Sequence, residues 1–297
     1  MKKHSGKTLD KKEDVRVIDC EPCGFIHVLP IPTDEELKHF YEKEFYEHER
    51  PNYFKETKED LPWWMATYRN YYHLFESRTK GRTLLDIGSG PGHFLACGEE
   101  RGWKTVGIEP SPVAAGYSSR RGLKTVNGFF SYAASKKLGK FDIVHAAMVL
   151  EHVPDPISFI IDMKKMLKAN GRIAVFCPND YNPLQYLLRT QYHFKPWWVV
   201  PKHHLNYFRI ESMKRLLHRL GFIVEDVLGT YPLETFILAG KNYINNHTIG
   251  RACHKERKKF ELMLYKTKQG KTLLNNLYTG LASAGIGREF MILARKK

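Results

Sequence analysis

The sequence predicts an α/β protein built on a doubly wound, largely parallel sheet of seven strands. Three observations carry this expectation. From Thr83 onward, short apolar runs alternate with stretches of helical spacing. The first run ends in a glycine turn, Gly88-Ser89-Gly90-Pro91-Gly92, ahead of a helical pattern. The 297 residues are 42% hydrophobic and 27% charged, a globular composition with enough length for a sizeable core.

Taken in order, residues 1–80 form a polar, aromatic N-terminal cap. It closes with a helix through Tyr68, Tyr71 and Tyr72, expected as a lid or as packing. The core spans 81–230. TLLDIG (83–88) is a buried strand, followed by a helix near 93–101. TVGIE (105–109) is the second strand, with a helix near 112–121, and LKTVN (123–127) is a weaker third. FDIVHAAMV (141–149) is the fourth. The helix near 156–168 repeats Phe159, Ile160, Met163, Met166 and Leu167 at helical spacing. RIAVFC (172–177) is the fifth strand, after an Asn170-Gly171 stop. An insertion, 179–209, precedes a helix at 211–220 and a sixth strand, GFIVEDVLG (221–229). A basic helical insertion, 231–287, leads to a final core strand within 288–297. Ligands of such sheets bind outside the carboxyl ends of the strands, and the topology places both insertions over that face.

The composition also excludes classes. No apolar run approaches the roughly 18 residues of a spanning helix, and the charged N-terminus lacks the apolar region of a secretory signal. Cysteines 20, 23, 97, 177 and 253 are odd in number and scattered, so a reducing cytoplasm is the expected compartment. The net charge is +15, concentrated late. Residues 1–81 hold 14 Lys and Arg against 16 Asp and Glu, whereas residues 241–297 hold 13 against 3.

The glycine turn carries the chemistry. Gly88, Gly90 and Gly92 let the backbone approach a ligand, and the helix behind them offers free N–H donors. Glu109 ends the next strand, where a carboxylate accepts two hydrogen bonds from a ribose diol. These features fit a nicotinamide or an adenosyl cofactor. The spacing is G-x-G-x-G, led by Asp86 within the strand, not the G-x-G-x-x-G of nicotinamide folds.

Asp86-x-Gly-x-Gly-x-Gly resembles motif I of the class I S-adenosylmethionine-dependent methyltransferases. VGIEPS (106–111) is similar to their motif II. FDIVHAAMVLEHVPDP (141–156), GRIAVFCPN (171–179) and GFIVEDV resemble later strands of the ubiquinone and sugar methyltransferase branch. The resemblance covers about 80–230 and the last strand. It implies a Rossmann-like sheet of order 3-2-1-4-5-7-6 with strand seven antiparallel, and S-adenosylmethionine as cofactor. Carried over by position, Asp86, Gly88, Ser89, Gly90 and Gly92 would line the methionine and ribose part. Glu109 would hold the ribose hydroxyls, and Pro110 and Ser111 would lie on the adenosine. Asn127, Gly128 and Phe129 would meet the adenine, with Asn127 replacing a common acidic residue. Ala147, between Ala146 and Met148, would sit by the sulfonium.

Methyl transfer to a hydroxyl or a carbon acid needs a base, and histidine suits that role. His152, in Glu151-His152, follows strand four; the pair could instead shape the loop to Asp155, which would cap the next helix. His203-His204-Leu205-Asn206-Tyr207-Phe208 is similar to a family stretch that faces substrate, in which some sugar C-methyltransferases carry Glu-His. His204 is therefore the second candidate base, and His203, Asn206, Tyr207 and Trp198 are candidate substrate contacts.

Cys20-Glu21-Pro22-Cys23 looks like half of a zinc ribbon. No second C-x-x-C is present, and His4 and His27 are poorly spaced for the missing half, so no metal is expected. Pro30-Ile31-Pro32, Glu36-Leu37 and Phe40-Tyr41 are similar to the segment just after such ribbons in related methyltransferases.

The expected function is transfer of a methyl group to oxygen or carbon of a small, lipid-linked or nucleotide-linked acceptor, sugar-like or quinone-like. The basic region 251–281 reads as two amphipathic helices that would recruit a phosphate-bearing acceptor or lie on an anionic membrane surface. An RNA methyltransferase is the first alternative, but strand four ends in HAAM without the N/D-P-P-Y/F of amino-methylating nucleic-acid enzymes, and the tail lacks a stacking platform. A cofactor-binding protein without turnover is the second.

Overall fold

The computed structural model describes residues 4–33, 35–36, 53–201 and 204–297, with the side chains of 53–56 excepted. Seven strands form one sheet. They are β4 (Thr83–Ile87), β5 (Lys104–Glu109), β6 (Thr125–Asn127), β7 (Phe141–Ala147), β8 (Leu167–Pro178), β10 (Phe222–Gly229) and β11 (Glu289–Lys296). The sheet order is β6-β5-β4-β7-β8-β11-β10, which in core numbering is 3-2-1-4-5-7-6. β4 runs parallel to β5 and β7, and β5 to β6. The ends of β8 and β10 both meet the start of β11: the Asn179 N–H donates to Arg288 O at 3.0 Å and the Thr230 N–H to Glu289 O at 2.8 Å. The last strand is therefore antiparallel to both, in agreement with the order expected from the sequence.

A second sheet is not foreshadowed by the sequence pattern. β1 (Gly6–Lys12), β2 (Val15–Cys20) and β3 (Phe25–Leu29) form an antiparallel meander, and β9 (Asn206–Tyr207) adds to its edge. The chain divides into two compact units. One comprises Met1–Ile31, Leu150–Val153 and Phe176–Ala294; the other comprises Pro32–Val149, Pro154–Val175 and Arg295–Lys297. This division parts the first three strands from the aromatic helix that comes after them.

In the second of these units, α1 (Tyr53–Arg78) buries its aromatic face. Tyr72 is fully buried, stacks on Phe94 at 4.7 Å, and donates from its hydroxyl to Phe94 O at 3.1 Å. Those contacts make Tyr72 a packing residue. The crossover helices are α2 (His93–Glu99), α3 (Pro112–Arg120), the single turn α4 (Tyr132–Ser135) and α5 (Pro156–Lys165). Asp155 caps α5, accepting from the N–H groups of Ile157 and Ser158 at 3.1 and 3.0 Å ahead of Pro156. α5 ends at Lys165, short of the predicted 168, because β8 begins at Leu167.

In the first unit, α6 (Pro183–Gln191), α7 (Ile210–Arg219), α8 (Glu234–Leu238), α9 (His247–Tyr265) and α10 (Lys268–Ser283) accompany β10 and β11. The basic tail is not wholly solvated. Arg257, 5% exposed, binds Glu261 at 2.9 Å and Glu289 at 3.3 Å, and the Tyr278 hydroxyl donates to Glu261 at 2.6 Å. One cation of the predicted membrane-facing run is thus engaged in internal pairing. Among the described residues no helix is long and apolar enough to cross a membrane.

Candidate active site

The expected cofactor-binding residues lie on β4, β5 and β6 and the turns that leave them. The β4 turn holds Gly88, Gly90 and Gly92 at φ of 73°, 52° and 77°. A side chain at Gly88 would also bring a Cβ within 2.6 Å of Val149 Cγ2. The Glu109 carboxylate is buried and accepts the Gly90 N–H at 2.8 Å and the Ser111 N–H at 2.9 Å. Burial pushes its carboxyl up to about 7 against the pull of those two bonds. A carboxylate has lone pairs beyond these two, so capacity remains for a diol. Ser111 caps α3 through Ala114 N–H at 3.4 Å.

Ser89 Oγ is buried without a hydrogen-bond partner, an orphan beside the turn that a ligand's polar group would satisfy. Phe129 and Met148 are 44% and 42% exposed apolar side chains at the carboxyl ends of β6 and β7. Phe129 is therefore not plain core. Asn127 braces the backbone: its amide donates to Glu109 O at 2.9 Å and Pro110 O at 3.1 Å, which fixes the turn that carries Glu109. Gly128, at φ 148°, donates to Glu109 O at 3.0 Å. Pro110 and Ala147 are half-buried at the strand ends. Asp86 is engaged by a residue that sequence reasoning missed. His145 Nδ1 lies 2.7 Å from Asp86 Oδ1, both side chains are buried, and the imidazole stacks on Phe94 at 4.2 Å. The signal was a histidine inside an otherwise apolar strand, FDIVHAAMV.

The other unit gathers polar groups from four distant segments. The rings of His152 and His204 meet edge to face with centroids 5.1 Å apart. Glu151 Oε1 lies 3.7 Å from His152 Nε2, and Asp180 Oδ2 lies 3.8 Å from His204 Nδ1. Arg288 Nη1 lies 3.6 Å from Asp180 Oδ1. None of these approaches is a hydrogen bond. Both oxygens of Glu151 and of Asp180, His204 Nδ1, Arg288 Nη1, Glu234 Oε2 and Trp198 Nε1 are buried without hydrogen-bond partners. Burial raises the Glu151 carboxyl to about 7, with the nearby His204 opposing. Asp180 and Arg288 do not stand out in the sequence; the only signal is a charged residue beside a strand terminus, after β8 in CPND and before β11 in GRE.

Two expected substrate contacts hold the backbone instead. Asn206 is buried, and its amide donates to Leu150 O at 3.0 Å and Val153 O at 2.7 Å, on either side of Glu151-His152. With both amide hydrogens engaged and the side chain enclosed, it has no donor for a substrate. Tyr207 is fully buried, and its hydroxyl accepts the Val200 N–H at 3.2 Å. Trp198 is 3% exposed and meets Tyr181 edge to face. His203 lies outside the described residues.

Comparison with known proteins agrees with this geometry. A family described as "Methyltransferase domain" matches residues 41–227. The chain is 28% identical over 183 residues to the ubiquinone biosynthesis O-methyltransferase of Aeromonas salmonicida (strain A449), covering 57% of this chain and 75% of that protein. It is 35% identical over 102 residues to an uncharacterized methyltransferase of Mycobacterium sp. (strain KMS), covering 32% of this chain and only 38% of that relative's length. Among solved structures, it is similar to the plantazolicin methyltransferase BamL (TM-score 0.53, 13% identity, 89% of this chain and 97% of that one). It is also similar to the magnesium protoporphyrin IX methyltransferase of Synechocystis PCC 6803 (TM-score 0.54, 11% identity, 89% and 100%). With most of its length matched and the glycine turn, Glu109 and sheet order in place, the chain belongs to the methyltransferase-domain family, as a class I enzyme whose cofactor is S-adenosylmethionine.

Proposed function

We propose that the protein methylates a hydroxyl oxygen of a small, polyhydroxylated acceptor such as a sugar. The carrying observation is the cluster of Glu151, Asp180, His204 and Arg288, whose buried polar atoms approach one another without hydrogen bonds. Leaving such atoms unsatisfied costs about 1–3 kcal/mol each, so the cluster calls for a polar guest. Hydroxyls both donate and accept, which suits a mixture of carboxylates, a guanidinium and an imidazole. A quinone-like hydroxyl acceptor offers one or two such groups on an apolar ring and would answer fewer of these atoms than a sugar.

The cofactor, when bound, supplies an electrophilic methyl group on a sulfonium. This chain orients the acceptor and takes its proton. His204 is the base: with Nδ1 turned toward Asp180, Nε2 is left for the acceptor O–H. As the acceptor oxygen takes the methyl group that the cofactor would supply, the hydroxyl proton passes to His204 Nε2. Asp180 then stabilises the imidazolium, while Arg288 balances the charge on Asp180. His152 packs on the His204 ring and fixes its tilt.

The test is transfer of labelled methyl from S-adenosylmethionine to a panel of free sugars, nucleotide sugars, catechols and RNA, with His204→Gln alongside. The reading expects a sugar ether as product and a loss of about 10²–10⁴-fold in kcat for His204→Gln. Label in catechol alone, in RNA alone, or unchanged turnover in the variant refutes it.

A lipid-linked acceptor is the second reading. Phe260, Met263, Leu273 and Leu277 are 39–60% exposed on the two helices that carry much of the late positive charge. Exposed apolar side chains set among Lys and Arg support contact with an anionic surface. Co-sedimentation with phosphatidylglycerol vesicles but not with phosphatidylcholine vesicles is the expected result; no binding to either removes this reading.

A further inference from the structure

The N-terminal sheet brings together four side chains that the chain keeps apart. His4, Cys20, Cys23 and His27 each offer one ligand atom, and the four atoms lie within 4.8 Å of one another. The sheet register produces this. The Glu21 N–H donates to Ser5 O at 3.0 Å and Gly6 pairs with Cys20, so His4 returns over the turn between the cysteines. Gly24, at φ 80°, donates its N–H to Cys20 O at 2.8 Å and folds Cys23 back beside Cys20. Cys20 pairs with Phe25 and Ile18 with His27, so Cys20 and His27 share one face.

The distances are those of a coordination polyhedron. Bond lengths of 2.0–2.1 Å to nitrogen and 2.3 Å to sulfur set the edges of a tetrahedron at about 3.4 Å for N···N and about 3.6 Å for S···N. His4 Nδ1 lies 3.1 Å from His27 Nε2, 3.8 Å from Cys20 Sγ and 3.5 Å from Cys23 Sγ. His27 Nδ1 lies 2.8 Å from Val28 O. An Nδ1–H donated to that carbonyl leaves Nε2 as a lone pair aimed at the cluster, the outer-shell arrangement usual for a metal-bound histidine. The Arg219 guanidinium donates to Cys23 O at 2.8 Å and holds the turn from the other side.

We propose that His4, Cys20, Cys23 and His27 bind one zinc ion. Two thiolates and two imidazoles at tetrahedral spacing select zinc over harder cations. Four protein ligands leave no open position, so the metal is structural. Its place in the fold gives it a further role. His27 pairs with Asn206 and Ile26 with Tyr207, and the Val28 N–H donates to Leu205 O at 2.9 Å. Leu205 and Asn206 in turn donate from their N–H groups to Glu151 O at 2.7 and 3.0 Å. The ion therefore pins the strand that fixes Glu151, and with it the residues that directly follow His204. The metal assignment stands on its own distances and does not depend on which acceptor the enzyme uses.

The experiment measures metal in the full-length protein, purified without a histidine tag from zinc-replete cells and dialysed. About one zinc per chain is expected, with His4→Gln and Cys23→Ser each losing most of it. Removal of the metal should lower the thermal midpoint, and cobalt offered to the metal-free protein should give the intense visible bands of a tetrahedral thiolate site. If Cys23→Ser does not fold, His4→Gln and the cobalt spectrum decide. Folded wild-type protein with reduced thiols, no bound zinc and no tetrahedral cobalt spectrum overturns the proposal. Zinc retained in full by His4→Gln overturns this ligand set.

Discussion

Replacing Glu109 by glutamine keeps the shape of the side chain and removes its charge. In the native turn the carboxylate accepts the Gly90 and Ser111 N–H groups at 2.8 and 2.9 Å. A glutamine presents one oxygen to one of these donors and an NH2 to the other. A charge-assisted bond to a ribose hydroxyl contributes about 1.5–3 kcal/mol. At 1.4 kcal/mol per tenfold, Glu109→Gln should weaken cofactor binding by about 10–150-fold. The pH dependence sharpens the test. Burial holds the Glu109 carboxyl at about 7, and only the ionised form accepts from both hydroxyls of a diol. Affinity should therefore be full above about pH 8 and fall as pH drops through 7, by at most about tenfold per unit. Calorimetric titration with S-adenosylhomocysteine across that range reads both effects. A pH-independent wild-type affinity, or a glutamine variant that binds as tightly as wild type, refutes the role given to Glu109.

Other substitutions test the supporting structure. Asn206→Ala leaves the carbonyls of Leu150 and Val153 without their buried donor; it should cost about 2–4 kcal/mol in urea unfolding, and an unchanged midpoint rejects the bracing role. Arg257→Met removes a buried cation from Glu261 and Glu289 and should cost about 3–5 kcal/mol by the same measurement; a stability equal to wild type would mean these ion pairs are dispensable. Burial pushes the Glu151 carboxyl up to about 7 in the folded chain, from an ordinary value of 4.5. The folded chain therefore holds that proton longer than the unfolded chain, and stability falls as pH rises from about 4.5 to about 7, by up to about 3 kcal/mol. Glu151→Gln should flatten that part of the profile, and an identical slope in wild type and variant rejects the buried-carboxyl assignment.

The core was legible because its strands are buried runs with glycine turns between them. Leu84, Leu85, Ile143, Val144, Ile173 and Val175 are all fully buried, and such runs announce a parallel sheet from local sequence alone. The glycine turn and Glu109 were legible for a related reason, since each needs a residue type that few other roles need. The N-terminal sheet was not. β1 is mostly exposed and charged, GKTLDKK, and β3 gains its outer partner from Asn206-Tyr207, far along the chain. Pairing of that range leaves no local pattern. The histidine cluster was legible only in part: His152 and His204 were singled out, but 151–152, 180, 204 and 288 converge only through the fold, and Asp180 and Arg288 look like ordinary surface charges until burial is known. Asn206 was expected to face a substrate, but its amide donates to the backbone on either side of Glu151-His152, because sequence does not say which way an amide faces.

β11 lies between β8 and β10, although it follows both of them in the chain. While residues 289–296 are still in the ribosomal tunnel, β8 has an open edge and β10 has no neighbour in the sheet. The nascent chain must therefore wait, with its apolar strands exposed, until residues 289–296 emerge and slot into the gap. A premature stop ahead of residue 289 would take out an interior strand. Quality-control proteases should recognise such a product as unfinished, and chaperone demand should persist until that strand has emerged.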